Sequence, residues 1–191
     1  CAPDVTVACA SEVPPIDIST VSATDNCEGE ITIEHVTDRR VEKICPNQYI
    51  FDRMYKATDA CGNEAFCEQR ITVFDDIAPE IEWTHPLIQS VPNGAYVYVE
   101  CESQDPEWAP PVIEESDALI TDNCGVVDVE FIEEFRDFNC STGGPITEVK
   151  KTWIATDLCG NQTIRYFYFR IIDTEDPILD GIPEDITVSC N

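Results

Sequence analysis

Basic residues are scarce in this sequence, and their scarcity excludes one large class of partners. Eleven Lys and Arg residues stand against 38 Asp and Glu residues, which gives a net charge of −27 over 191 residues. Such a charge repels the phosphates of nucleic acids and the headgroups of anionic lipids. We therefore expect no nucleic-acid partner, whereas an acidic surface attracts divalent cations such as Ca²⁺. The alternative is that the charge only keeps the protein soluble.

Long apolar runs and zinc-binding patterns are also missing. No run approaches the ~20 apolar residues that a membrane helix needs, so no membrane span is expected. The eleven cysteines include no C-x-x-C pair, and only two histidines could assist them as zinc ligands. Cysteines spread along the whole chain instead predict disulfides and an oxidising, extracellular compartment. Since no signal peptide precedes Cys1, we expect a mature or excised part of an exported protein.

No pattern typical of catalysis stands out. His35 falls in the middle of a predicted strand and His85 lies beside Pro86, and neither has a G-x-S-x-G-like or catalytic cysteine context. We expect both histidines to have structural or solvent-facing roles. Because nothing singles out a pair of carboxylates for glycoside hydrolysis either, the sequence predicts that the protein is not an enzyme.

Three motifs occur twice and in the same order, about 98 residues apart. They are T-D-N-C at 24–27 and 121–124, A-T-D-x-C-G-N at 57–63 and 155–161, and D-x-x-x-P at 75–79 and 173–177. A third copy begins near the C terminus, because residues 183–190 repeat residues 3–9. We therefore predict a first module at 1–78, a second at 79–176, and the first strand of a third at 177–191.

The apolar pattern within each copy has a period of two, which is typical of β-strands. The predicted strands are 31–36, 49–55 and 70–74 in the first copy and 95–99, 149–154 and 166–172 in the second. No convincing helix is found. Several short strands in each copy predict an all-β fold of tandem immunoglobulin-like β-sandwich modules, stapled by disulfides.

The three motifs at these spacings resemble the HYR-type immunoglobulin-like repeats of very large surface proteins in gliding Bacteroidota, the SprB-like adhesins. The resemblance covers both modules. It implies export to the cell surface and service as a long stalk or as a gliding-motility adhesin. It does not identify a ligand, because many unrelated surface proteins carry such modules.

Sandwich topology suggests how the cysteines pair. Four cysteines per module permit three connectivities, and the first and third should lie at one end of the sandwich, with the second and fourth at the other. The predicted pairs are Cys9–Cys45 and Cys27–Cys61, and by repetition Cys101–Cys140 and Cys124–Cys159. Cys1 and Cys67 have no counterpart in the second module and should meet where the first and last strands pair. Cys190 is left unpaired or bonds to the next module.

Recurring carboxylates suggest a calcium site at the joint between the modules. The linker at 75–79 should enter the second module beside two acidic loops, and it would gather Asp75, Asp76, Asp122 and Asp157 around one ion. Carbonyls of Asn123 or Asn161 could add further oxygens, and the corresponding candidates for the next joint are Asp173, Glu175 and Asp176. The alternative is that these Asp and Asn residues only form turns.

The expected function is mechanical: a rigid spacer in a cell-surface adhesin or filament, whose partners are neighbouring copies of the module and an unknown glycan or protein ligand. A first alternative is a carbohydrate- or protein-binding module, for which Trp108 is the best candidate contact, whereas Trp153 alternates as a core residue would. A second alternative is a fibre subunit whose strand at 184–189 inserts into the next copy, with Cys190 as the cross-link.

Overall fold

The computed structural model describes residues 1–27, 29–101, 109–138, 145–177 and 181. Strands dominate these residues, as the period-two pattern predicts. The strands β1 to β10 are Val5–Val7, Thr32–Cys45, Gln48–Thr58, Glu64–Phe74, Glu80–Trp83, Tyr96–Glu100, Ala118–Thr121, Val126–Asp137, Pro145–Asp157 and Gln162–Ile172. Short 3-10 turns lie at Ala10–Glu12, Ile18–Thr20 and Glu115–Asp117. The described residues include no helix with the length and apolar character to cross a membrane.

Two four-stranded sheets share one strand order. The first sheet runs β1-β4-β3-β2 and the second runs β6-β10-β9-β8. In each sheet the short first strand pairs in parallel with the last one, and the remaining pairs are antiparallel. A separate antiparallel pair is formed by β5 and β7. The predicted boundary at residues 78 and 79 falls in the extended segment between β4 and β5.

The larger core lies between the β5-β7 pair and the second four-stranded sheet. Trp153 on β9 is completely buried, as its alternation predicts, and it packs against Phe131, Phe167 and Trp83. The Trp153 indole Nε1 donates to the backbone oxygen of Glu115 at 3.1 Å, so the polar atom of this buried ring is satisfied. This half of the chain therefore has two packed β layers.

The first sheet is covered by irregular chain rather than by a second sheet. Its buried cluster is small and centres on Ala2, Val21 and Tyr55. The covering segments are held by side chains of the sheet, because Arg53 Nη1 donates to the oxygen of Pro14 at 3.0 Å. Among the described residues the predicted two-sheet sandwich is thus met only in the second half, since the segment at 8–31 has too few apolar side chains at alternating positions to form strands.

The disulfides differ from most of the predicted pairs. Cys1 bonds to Cys67, the pair expected where β1 meets β4. The other two bonds are Cys9–Cys124 and Cys45–Cys159, which replace the predicted Cys9–Cys45 and Cys124–Cys159. The prediction sought partners within one module, whereas the end of the first sheet that carries two of these cysteines abuts the end of the second sheet that carries the other two.

The remaining predicted bonds involve cysteines with no bonded partner in the described part of the chain. Cys27 and Cys61 are both exposed and are not bonded to each other. Cys101 is half-buried and is bonded to no described residue, while its predicted partner Cys140 lies outside the described residues, as do Cys190 and Trp108. Three disulfides in one chain indicate an oxidising, extracellular environment.

Candidate metal centre

Three carboxylates from distant parts of the chain meet where the two four-stranded sheets abut. Asp75 follows β4, Asp122 follows β7 and Asp157 ends β9, and one oxygen of each lies within 4.8 Å of the others. Asp75 is 2% exposed and Asp157 is 4% exposed, while Asp122 is half-buried. The expected meeting of the linker with the two acidic loops is thus found for these three aspartates.

The Asp157 loop is rigid because its carboxylate is hydrogen-bonded to its own turn. Asp157 Oδ1 accepts from the backbone nitrogens of Cys159 and Asn161, each at 2.8 Å, and Oδ2 accepts from Asn161 Nδ2 at 2.7 Å. Gly160 has a φ of 88°, a left-handed conformation that glycine adopts without strain. These contacts fix the direction of the Asp157 carboxylate.

The Asp122 loop is built in a similar way. Asp122 Oδ1 accepts from the backbone nitrogens of Cys124 and Gly125, both at 2.8 Å. Its second oxygen, Oδ2, is buried and has no hydrogen-bond donor. The turn therefore uses one oxygen of this carboxylate, and the other has no hydrogen-bond partner among the described residues.

Asp75 is hydrogen-bonded both to the first sheet and to the loops of the second sheet. Its backbone nitrogen donates to the oxygen of Asn47, in the turn between β2 and β3, at 3.1 Å. Asn161 Nδ2 donates to the Asp75 backbone oxygen at 3.3 Å, and Asn123 Nδ2 donates to Asp75 Oδ1 at 3.4 Å. Asp75 Oδ2, however, is buried and has no hydrogen-bond donor in the described part of the chain.

The cluster lacks compensating positive charge. No ion pair in the described residues involves any of the three carboxylates. Two unit charges of one sign at 4 Å repel by about 4 kcal/mol at an effective dielectric of about 20, and each buried oxygen without a donor adds a desolvation cost. A cation would remove both costs.

The donor set fits a calcium ion. Calcium takes hard oxygen ligands at about 2.3–2.6 Å, so that two oxygens on one ion lie at most about 5 Å apart. The three carboxylate oxygens lie within 4.8 Å of one another, and two of the three aspartates each have a buried second oxygen with no other partner. Asp75, Asp122 and Asp157 are therefore the residues that would hold the ion.

Two disulfides lie beside the acidic cluster. Cys124 is two residues after Asp122, and Cys159 is two residues after Asp157, so that each acidic loop carries one half of a bond to the first sheet. The Cα atoms of the bonded cysteines are 5.2 Å apart in both cases. We call this arrangement of two disulfides and three carboxylates the joint.

The other sequence-predicted metal ligands do not join a cluster in the described part of the chain. Asp76 is exposed and does not belong to the group that its neighbour Asp75 forms with Asp122 and Asp157. Asp173 accepts a hydrogen bond from the backbone nitrogen of Glu175 at 3.2 Å, and both Glu175 and Asp176 are exposed. No second group of three potential ligands is present among the described residues.

Both histidines have structural contacts. His35 Nε2 lies 2.8 Å from Asp38 Oδ1, and its ring meets that of Tyr55 edge to face. His85 Nδ1 accepts from the backbone nitrogen of Leu87 at 3.2 Å. These contacts agree with the structural roles that the sequence predicts for them.

Sequence reasoning missed two features of this region. Asn47 is buried, and its Oδ1 accepts from the backbone nitrogen of Ala10 at 3.0 Å, which ties the turn before β3 to the segment after Cys9. No sequence signal identifies it. A row of tyrosines was also missed, although the alternation of Tyr96 with Tyr98, and of Tyr166 with Tyr168, could have indicated it.

Comparisons with known proteins add no relative. No protein-family model matches the chain, and no curated protein matches it in sequence.

Proposed function

We propose that the protein is a stalk segment of a cell-surface adhesin or filament, in which two copies of one β unit are held by a calcium-bound, disulfide-clamped joint. The observation that carries the proposal is the joint itself. Two covalent bonds connect the end of one four-stranded sheet to the end of another with the same strand order, and the largely buried acidic cluster lies beside them.

The idea of two copies of one unit is supported independently by sequence and topology. The repeated motifs fall at matching places, since A-T-D-x-C-G-N forms the turn from β3 to β4 and again the turn from β9 to β10. Both sheets begin with a short strand that pairs in parallel with the last one. A recurring unit with recurring contacts is the architecture of a tandem-repeat stalk.

Two bonds make this joint stiffer than an ordinary linker. Domains joined by one chain segment usually move relative to each other. Here the linker at Asp75 is one connection, and Cys9–Cys124 and Cys45–Cys159 are two more. Three separate attachments oppose both bending and twisting, so pulling force passes through the joint without opening it.

Calcium would complete the joint by neutralising the three carboxylates. Asp75 comes from the linker, while Asp122 and Asp157 come from the second unit. An ion between them would bind the linker to the second unit and offset the repulsion that otherwise pushes them apart.

Thermal unfolding with Ca²⁺ and with a chelator tests the ion. Ligand at 100 times its Kd stabilises by about 2.7 kcal/mol, which raises Tm by about 5–10 °C for a chain of this size. Asp75→Asn should abolish the increase, and Asp76→Asn is the matched control, because it removes the same charge one residue away, outside the cluster. Equal Tm values for the unmodified protein with Ca²⁺ and with chelator would refute the calcium site.

Stretching single molecules tests the stalk. The oxidised chain, pulled from its two ends, should show no extension between residues 9 and 124 or between residues 45 and 159 until a reductant is added. Full extension of the chain before reduction would show that the joint does not resist force.

The tyrosine row favours carbohydrate binding as a second candidate function. Tyr96 and Tyr98 are 45% and 55% exposed, and the Tyr96 ring stacks on Tyr168 with centroids 4.8 Å apart. The guanidinium of Arg170 lies 4.0 Å from the centre of the Tyr96 ring. Exposed, stacked rings can pack against sugar faces. Glycan-array binding that is lost in Tyr98→Ala and kept in Phe66→Ala, an exposed residue of the first sheet, would support this function.

A further inference from the structure

The first sheet carries a second copy of the Asp157 loop, with the same geometry. Asp59 Oδ1 accepts from the backbone nitrogens of Cys61 and Asn63 at 2.8 Å, and Oδ2 accepts from Asn63 Nδ2 at 2.7 Å. The φ of Gly62 is 89°. The hydrogen bonds from Asn63 lower the pKa of the Asp59 carboxyl, so this group is ionised at neutral pH.

The two loops differ only in what covers them. Cys159 is bonded to Cys45, and Asn161 contacts Asp75. Cys61 and Asn63 are exposed, and no described residue bonds to Cys61. The Asp59 loop therefore has the same form as the Asp157 loop of the joint, but no described residue is bonded to its cysteine.

The neighbouring T-D-N-C loop shows the same contrast. Asp122 and Cys124 are half-buried in the joint, and Cys124 is bonded to Cys9. Their counterparts Asp25 and Cys27 are exposed, and Cys27 is bonded to no described residue. This end of the first sheet thus presents two thiols and two carboxylates at the motif positions that the second sheet uses to bind the first. Asp25 itself accepts from the backbone nitrogen of Asn26, the next residue.

The far end of the second sheet presents the complementary half. Cys101 follows β6 as Cys9 follows β1, and Asp173 follows β10 as Asp75 follows β4. Asp173 accepts from the nitrogen two residues later, as Asp75 accepts from the nitrogen of Ile77. Cys101 has no bonded partner among the described residues.

We infer that the end of the first sheet with Asp25, Cys27, Asp59 and Cys61 is a docking surface for a further unit of this kind, which presents an end like that of Cys101 and Asp173. Cys27 bonds to the incoming counterpart of Cys101, as Cys124 bonds to Cys9. The incoming counterpart of Asp173 completes a three-carboxylate group with Asp25 and Asp59. This inference rests on the joint of the proposed function, because the docked arrangement is taken to be the same. The disulfide between the two units, however, does not depend on calcium.

The bond forms by oxidation of two thiols. Cys27 and the incoming cysteine lose two protons and two electrons, and one molecule of oxidised glutathione takes them up and becomes two molecules of the reduced thiol. Because the contact joins unlike ends, each added unit leaves a free end of each kind, and association continues as an open row rather than a closed pair.

Oxidation of the purified chain tests the inference. Equal amounts of ¹⁵N-labelled and unlabelled protein are incubated in a glutathione redox buffer with Ca²⁺ and separated on non-reducing gels. We expect a ladder of multimers, and cleavage before aspartate should give peptide 25–37 linked to peptide 76–104, since each holds one cysteine. Linked peptides with one labelled and one unlabelled half show that the bond joins two chains.

A Cys27→Ser variant is the first control, and its ladder should lose the 25–37 to 76–104 link. A Cys27–Cys61 bond within one chain, a Cys27–Cys27 bond between like ends, or a monomer with free thiols would each overturn the inference. The docking inference and the calcium proposal can be refuted independently of each other. A ladder that forms equally with chelator would sustain docking and refute calcium in the contact, whereas a calcium-dependent Tm without the ladder would refute docking alone.

Discussion

Cys45 and Cys159 are separated by 114 residues, and their disulfide joins the end of β2 to the turn that follows β9. One hairpin of the first sheet is thereby tied to one hairpin of the second. The Cys9–Cys124 bond makes a parallel connection from the other side of the first sheet, beyond β1. Together the two disulfides hold the two sheets in a fixed relative position.

Peptide mapping of the unreduced protein tests these pairs directly. Trypsin should release peptide 44–53, which holds only Cys45, and peptide 152–165, which holds only Cys159. We expect the two to appear as one linked species that separates on reduction. Linkage of 44–53 to the N-terminal peptide 1–39, which carries Cys1, Cys9 and Cys27, would instead support bonding within the first sheet and would contradict the Cys45–Cys159 bond.

Removal of one bond of the joint should lower stability strongly. With Cys9–Cys124 intact, the double variant Cys45→Ser/Cys159→Ser opens a ring of about 70 residues, and the chain-entropy account then gives a loss of about 4 kcal/mol in the free energy of unfolding. Urea unfolding under oxidising conditions measures it. The matched control is Cys27→Ser/Cys61→Ser, which should stay within about 0.5 kcal/mol of the unmodified monomer, because no bond between described residues is lost.

The disulfide pattern shows where reasoning from one sequence reached its limit. Topology correctly separated the ends of each sheet, since Cys9 and Cys45 do lie together at the joint, as do Cys124 and Cys159. Proximity alone then paired cysteines at the same end of one sheet. Which cysteines bond depends on how the end of one sheet meets the end of the other, and no local pattern encodes that contact.

The acidic cluster was predicted more accurately than the disulfide pairs. Its position follows from the path of the backbone, whereas the pairs depend on which side chains meet between the sheets. A chain that runs from β4 to β5 must pass the loops after β7 and β9, which places Asp75 near Asp157. Asp76, the fourth carboxylate predicted at this place, does not belong to the cluster. Successive residues of extended chain point in opposite directions, and Asp76 is accordingly exposed while Asp75 is buried.

The predicted strands lie at the right places in the sequence but are shorter than the observed strands. Residues 37–45 belong to β2 although they are rich in charge and almost entirely exposed. No second layer of described residues packs against their side chains, so hydrophobic alternation, the signal used to find strands, is absent there. Backbone pairing with β3 holds this segment in the sheet.

Acid should weaken the first sheet through Asp52. Arg70 Nε donates to its Oδ1 at 2.9 Å and Arg39 Nη2 to its Oδ2 at 3.1 Å, and the hydrogen bond from Arg70 is the largest influence that lowers the Asp52 pKa. A lowered folded-state pKa means that the stabilisation is present above the unfolded pKa of about 3.9 and is lost as pH falls through the folded value.

Urea midpoints at pH 6.5 and pH 3 measure this contribution. The unmodified protein should lose more stability between the two values than Asp52→Asn, whose amide does not titrate. Since the other carboxylates titrate in both proteins, the difference isolates Asp52. Equal losses in the two proteins would show that this ion pair contributes nothing.

The stability of the larger core should depend strongly on Trp153. This side chain is fully buried among aromatic rings, and its indole nitrogen is hydrogen-bonded. Trp153→Ala should reduce the free energy of unfolding by about 3–5 kcal/mol. The comparison is Phe135→Ala, at a side chain that is 70% exposed, for which we expect about 0.5 kcal/mol or less. Similar losses from both variants would mean that the core lies elsewhere.

A pair of aspartates separates the role of calcium from that of the turn. Asp157 and Asp59 make the same three hydrogen bonds within their loops, so replacement by Asn disturbs both turns equally. Only Asp157 belongs to the acidic cluster. In the monomer, Asp157→Asn should therefore lose the Tm increase on addition of Ca²⁺, whereas Asp59→Asn should keep it. In chelator, Asp157→Asn should lose less stability than Asp59→Asn, because it also removes repulsion within the acidic cluster. If calcium raises Tm equally in the two variants, the ion does not bind at the joint, and these aspartates serve only to shape their turns.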